Sequence, residues 1–107
     1  MSYTFELFKS DSPNKKYKVI IFENGVKTKT IHFGDSRYKD FIEYHKINKT
    51  LANERKRLYL IRHNKEDSNN FLTAGYWSKN ILWSYPTLEA SYIYIYKCFS
   101  YNRRCQY

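Results

Sequence analysis

Glycine, proline and cysteine are scarce, at 3, 2 and 2 among 107 residues. So few glycines exclude a collagen-like repeat and leave no glycine-rich loop to cradle a phosphate. Two cysteines are too few to staple a disulfide miniprotein, and 42% hydrophobic residues are too many for a disordered tail. No run approaches the roughly 18 apolar residues of a membrane span, and no apolar stretch follows a basic start, so neither a span nor a secretory signal is expected. Acidic residues are the other shortage. Asp and Glu total 10 against 19 Lys and Arg, a net charge of +9. That excess favours a polyanionic partner: nucleic acid, anionic lipid or an acidic protein surface. The plainer explanation is a lysine-coated soluble surface. Lys, Tyr, Ile and Asn number 13, 12, 9 and 9, all with A/T-rich codons, so part of the charge reflects an AT-rich genome.

The length suits a single small basic domain over residues 1–107, with a β part (1–34) and a mainly helical part (35–107). Tyr17 to Phe22 and Val26 to Phe33 are rich in β-branched and aromatic residues. Asn24-Gly25 between them suits a two-residue turn with both φ angles positive. The matching register sets Tyr17 opposite His32, Val19 opposite Thr30 and Ile21 opposite Thr28. Tyr3, Phe5 and Leu7 alternate with polar residues and make a third strand, with a loop over residues 9–15. The expected fold class is α+β: an N-terminal antiparallel hairpin or three-stranded sheet, then three or four short helices.

After Gly34 the period changes to about 3.6. Asp35 or Ser36 is placed to cap a helix carrying Tyr38, Phe41, Ile42 and His45 on one side. Thr50 is the expected cap of a longer helix from Leu51 to His63, with Leu51, Leu58 and Ile61 as its apolar stripe and basic residues opposite. Thr73 is read as the cap of a short helix through Trp77, Ile81 and Trp83, stopped by Pro86. Residues 91–97 suit a strand as well as a helix, and Thr87 as a cap favours the helix. The charge excess gathers in residues 36–66, with 9 basic and 4 acidic side chains.

The ordered words His32-Phe33-Gly34, Thr73-Ala74-Gly75-Tyr76-Trp77-Ser78 and Leu82-Trp83 resemble those of an uncharacterised family of small basic proteins of nucleocytoplasmic large DNA viruses, mimivirus-like and phycodnavirus-like. Tyr38 to Phe41, His45-Lys46, Arg55 to Tyr59 and Arg62-His63 also recur there in order. The resemblance covers about residues 17 to 99. It implies a viral protein located in the virion or the virus factory of the host cytoplasm, and it supplies no catalytic residues. Members tend to carry more Arg and Lys before the second word, where this chain has Asp67, Ser68, Asn69 and Asn70.

Residue patterns point away from chemistry. His32, His45, His63, Cys98 and Cys105 lack the paired spacing of zinc ligands, so no metal site and no cofactor is expected. Both cysteines are read as free thiols. Asp40 and Glu43, three apart, read as surface ion-pair partners rather than catalytic acids, and no nucleophile elbow exists, so an enzyme is not expected. The sharpest hypothesis is a basic nucleic-acid-binding helix: Lys46, Lys49, Arg55, Lys56, Arg57, Arg62, His63 and Lys65 could follow a phosphate backbone without reading bases. Trp77 and Ile81 are assigned to the core. Tyr76, Lys79 and Trp83 are assigned to an exposed face and, with Tyr92, Tyr94 and Tyr96, to an interface where copies of the chain or other proteins dock. The expected role is a non-enzymatic viral structural protein that binds DNA without sequence specificity, with neither a membrane span nor a small-molecule substrate. The alternative is a minor capsid or scaffold protein that binds other virion proteins; a host-directed RNA- or protein-binding factor ranks third.

Overall fold

A computed structural model describes residues 2–63 and 70–100. Three strands come first: β1 (Tyr3–Lys9), β2 (Lys15–Glu23) and β3 (Val26–Asp35), joined as an antiparallel sheet in the order β1-β2-β3. Helices follow: α1 (Phe41–Ile47), α2 (Lys49–Arg62), α3 (Ala74–Trp77) continuing into a π-helical turn (Ser78–Leu82), and α4 (Leu88–Ser100). The architecture is α+β, as its alternating and then helical periods imply.

The hairpin turn sits at Asn24-Gly25, both with positive φ, at 51° and 83°. The register differs from the simple one. Phe22 faces Lys27 but Ile21 faces Lys29, so Thr28 is an extra, bulged residue whose hydroxyl donates to the Ile21 carbonyl at 3.0 Å. Beyond the bulge Val19 faces Ile31, Tyr17 faces Phe33 and Lys18 faces His32. A slip of one residue moves every side chain to the other face. Without the bulge, Ile31 and Phe33 would leave the face that holds Val19 and Ile21; with it, all four are buried together. His32 consequently stands away from Tyr17, and its Nδ1 lies 2.7 Å from the Ser10 hydroxyl.

The core lies between this face and the later helices. Val19, Ile21, Phe33, Trp77, Ile81 and Ile95 are fully buried, and Trp77 packs near Phe5, Phe33 and Phe99. Its indole N–H donates to the Phe71 carbonyl at 2.7 Å, satisfying the one polar atom that burial would orphan. Gly34, with φ 79°, lies under the π-helical turn: a Cβ there would come within 2.6 Å of Leu82 Cδ1. Thr73 caps α3, accepting from the Tyr76 N–H at 3.4 Å, and Thr87 caps α4, accepting from the Ala90 N–H at 3.1 Å. Residues 91–97 are helical, with Ser91, Ile95 and Cys98 buried at i, i+4 and i+7. Cys98 is disulfide-bonded, not the free thiol expected; Cys105, the other cysteine, lies outside the described residues.

Candidate nucleic-acid interface

α1 and α2 form a tight pair because single side chains end one helix and start the next. Asp40, not Asp35 or Ser36, caps α1, its carboxylate accepting from the Glu43 N–H at 3.0 Å. The expected start is too early because β3 runs on through Asp35, and Tyr38 stands exposed before the helix. Asn48 then serves both helices: its N–H donates to the Tyr44 carbonyl, closing α1, and its Oδ1 accepts from the Leu51 N–H at 3.0 Å, opening α2 two residues before Thr50 could.

Lys16 of β2 fastens this pair to the sheet. Its ammonium lies 2.7 Å from Asp40 Oδ2 and also binds the Glu43 carboxylate. Burial pushes the Asp40 carboxyl above the ordinary aspartate value, against the pull of Lys16. Burial acts on Glu43 too, but there the Lys16 hydrogen bond and charge outweigh it and lower the pKa. Asp40 is a buried cap tied to a strand, rather than the surface partner its spacing suggests.

α2 presents a different face to the protein than its leucines imply. Ala52 and Tyr59 are buried, with Lys56 and His63 half-buried on the same side, whereas Leu51, Leu58 and Ile61 are 37%, 39% and 56% exposed. The reason is aromatic. Tyr59 stacks on Trp83 with centroids 4.4 Å apart and planes 5° apart, while His63 lies over Tyr59 at 4.3 Å. That stack outranks a leucine contact in setting the rotation of the helix, since offset aromatic pairs add to their burial. Lys56 is drawn in with it, its ammonium donating to the Ser84 carbonyl at 3.0 Å and standing 4.9 Å over the Phe41 ring. Burial lowers its pKa. Lys56 therefore braces α2 from within.

The outer surface, at roughly 100° per residue, is an aliphatic ridge between two cationic flanks. Leu51, Leu58 and Ile61 form the ridge, with Ile47 exposed just before it. Arg55 and Arg62 lie along one flank and Arg57 along the other, while Lys49 in the first turn of α2 and Lys46 in the last turn of α1 are exposed away from the ridge. Arg57 is held by Glu54 through hydrogen bonds of 2.6 and 3.1 Å. Arg55 stands 5.6 Å over the Tyr44 ring, and Arg62 lies 6.0 Å from the Tyr59 ring. Among the described residues no carboxylate pairs with Lys46, Lys49, Arg55 or Arg62. Lys65 lies outside the described residues.

The second expected surface is broken up. Tyr76 is buried, and that burial, helped by nearby Tyr94, pushes its phenol up to about 12. Lys79 and Trp83 are half-buried, Trp83 as the platform for Tyr59; Tyr94 is half-buried beside Tyr85, at 5.4 Å. Tyr92 and Tyr96 do stand exposed on α4. Sequence reasoning passed over Lys16 and Tyr44, which fasten α1 to the sheet and support Arg55. The only sequence signal for Tyr44 is its place beside basic α2, and Lys16 shows none. Among the described residues no three His, Cys, Asp or Glu side chains gather as metal ligands, and no helix is long and apolar enough to cross a membrane.

Neither a curated protein nor a solved structure matches the chain. A family model does, over residues 5–63, more than half of the length, taking in all of β2, β3 and α1–α2 and stopping before the Thr73–Ser78 word. The chain belongs to this family of unknown function, DUF5754.

Proposed function

We propose that the protein is a non-enzymatic structural protein of a large DNA virus that associates with DNA through α1–α2 without reading its sequence. The observation that carries this is the set Lys46, Lys49, Arg55 and Arg62, exposed on one helical pair and tied to no carboxylate among the described residues. Such cations neutralise phosphates and release counterions, which gives affinity but no base identity. The viral assignment, and with it the virion or virus factory as location, is supported by the His32–Gly34 and Thr73–Ser78 words and by a composition rich in Lys, Tyr, Ile and Asn, the residues of A/T-rich codons.

A second reading is favoured by the ridge of Leu51, Leu58 and Ile61. Exposed aliphatic residues in a row do nothing for phosphate, and they suit a capsid or scaffold protein that docks on other virion proteins. One experiment separates the two. Arg55→Glu with Arg62→Glu is expected to cut affinity for mixed-sequence duplex DNA by about 100-fold or more at low salt. Leu58→Gln with Ile61→Gln is expected to leave DNA affinity unchanged. Equal DNA binding by the charge-reversed variant refutes the first reading. Retention of the protein in disrupted particles after nuclease treatment, lost only in the Leu58/Ile61 variant, establishes the second.

A further inference from the structure

α4 has one side packed into the protein and, among the described residues, one side exposed to solvent. Ser91, Ile95 and Cys98 are buried, and Leu88, Tyr94 and Phe99 are half-buried beside them. The outer stripe holds Glu89, Tyr92, Ile93, Tyr96 and Lys97, with Ile93 45% and Tyr96 56% exposed. The Tyr92 and Tyr96 rings lie near parallel, 6.3 Å apart, along one flank of that stripe, where Tyr92 also meets the Phe5 ring edge-on at 5.5 Å. Glu89 and Lys97 are exposed, and neither forms an ion pair among the described residues.

Charge distinguishes this stripe from the rest of a +9 molecule. Glu89 and Lys97 cancel, so two copies can approach here without opposing cations, whereas two α2 surfaces would set arginine against arginine. The spacing is also self-complementary. Glu89 lies four residues before Ile93 and Lys97 four after it, each about 6 Å along the axis. A two-fold axis through Ile93 places Ile93 against its own copy and Glu89 against the partner's Lys97, twice over. The helices then run antiparallel, with opposed macrodipoles.

We propose that a second copy of this chain packs antiparallel on the Glu89–Ile93–Lys97 stripe of α4, forming a two-fold dimer. This inference does not rest on the DNA reading, and its test involves no DNA. One pair of three-turn helices buries less than the roughly 1,200 Å² of a standard interface, so the dimer is weak and dissociates in the micromolar range.

Sedimentation velocity on the full chain across that range tests it. The wild type is expected to pass reversibly from monomer to dimer. Glu89→Lys places four like charges along the paired stripes, as does Lys97→Glu with the opposite sign, and each variant is expected to remain monomeric. An equimolar mixture of the two restores both ion pairs and is expected to dimerise. So is the double variant alone, which shows that the single changes acted through the contact and not through folding. A wild type monomeric throughout overturns the proposal. So does dimerisation of either single variant at wild-type strength, or a mixture that stays monomeric.

Discussion

The sheet side and the α1–α2 side use the same kinds of residue to opposite ends. Against the sheet, Ile21, Phe33, Trp77, Ile81 and Ile95 vanish from solvent and form the core. In α2 the large aliphatic residues stay outside, and the buried positions go to Ala52 and Tyr59. One side is held by apolar burial. The other is held by polar and aromatic contacts: the shared Asn48 cap, Lys16 on Asp40, Lys56 on Ser84 and Phe41, and Tyr59 on Trp83. Since these contacts lie inward, the outer surface of α2 can vary without cost to the fold and is available to a partner.

Chemical denaturation should expose this contrast most sharply with Trp77→Ala, expected to cost about 3–5 kcal/mol as a large cavity opens in the core. Leu58→Ala, of similar chemistry but on the ridge, should change stability by no more than about 0.5 kcal/mol. Equal losses from the two would erase the distinction. Next comes Gly34→Ala, which forces a Cβ against Leu82 at a positive φ and should destabilise by more than about 1 kcal/mol. Gly25→Ala has the same backbone strain but open space around it, and its loss should be the smaller.

On the α1–α2 side, Asp40→Ala removes the cap and one Lys16 contact and should cost about 1–2 kcal/mol, while Asp40→Asn keeps a capping oxygen and should cost less. The smallest effect concerns acid. Two side-chain hydrogen bonds from Arg37, with one from its backbone N–H, hold the Asp35 carboxyl down at about 2, below its ordinary 3.8. A depressed carboxyl stabilises the fold above its unfolded value and loses that contribution as pH falls towards 2. Urea midpoints of the wild type and Arg37→Ala should therefore differ at neutral pH and converge near pH 2; a difference that grows in acid would reverse the assignment.

Much of the sheet was readable in advance, because strand alternation at Tyr3, Phe5 and Leu7 and the Asn24-Gly25 pair are local signals. The bulge at Thr28 was not, since nothing about one threonine says that Ile31 and Phe33 must rejoin the face of Val19 and Ile21. The Thr73 and Thr87 caps were readable for the same local reason. The α1 cap was misplaced because Asp35 and Asp40 are equally good caps, and only the length of β3 chooses between them. The candidate surface was half legible. Arg55 and Arg62 stand exposed where helical periodicity puts them, on the edge beside Tyr59, but Lys56 turns inward to a backbone carbonyl at Ser84, a partner invisible to any reading of side chains. Tyr76 was lost to the core on the same grounds: an amphipathic residue fits inside or outside, and packing decides.

The salt dependence of binding to mixed-sequence duplex DNA tests the claim for α1–α2 most directly. With Lys46, Lys49, Arg55 and Arg62 each meeting one phosphate, the log–log slope should be about −3.6, at about −0.9 per phosphate. Raising salt from about 50 to about 200 mM should then weaken binding roughly 150-fold. Absence of binding at about 50 mM salt, or a slope near zero, would contradict the assignment of this surface to DNA.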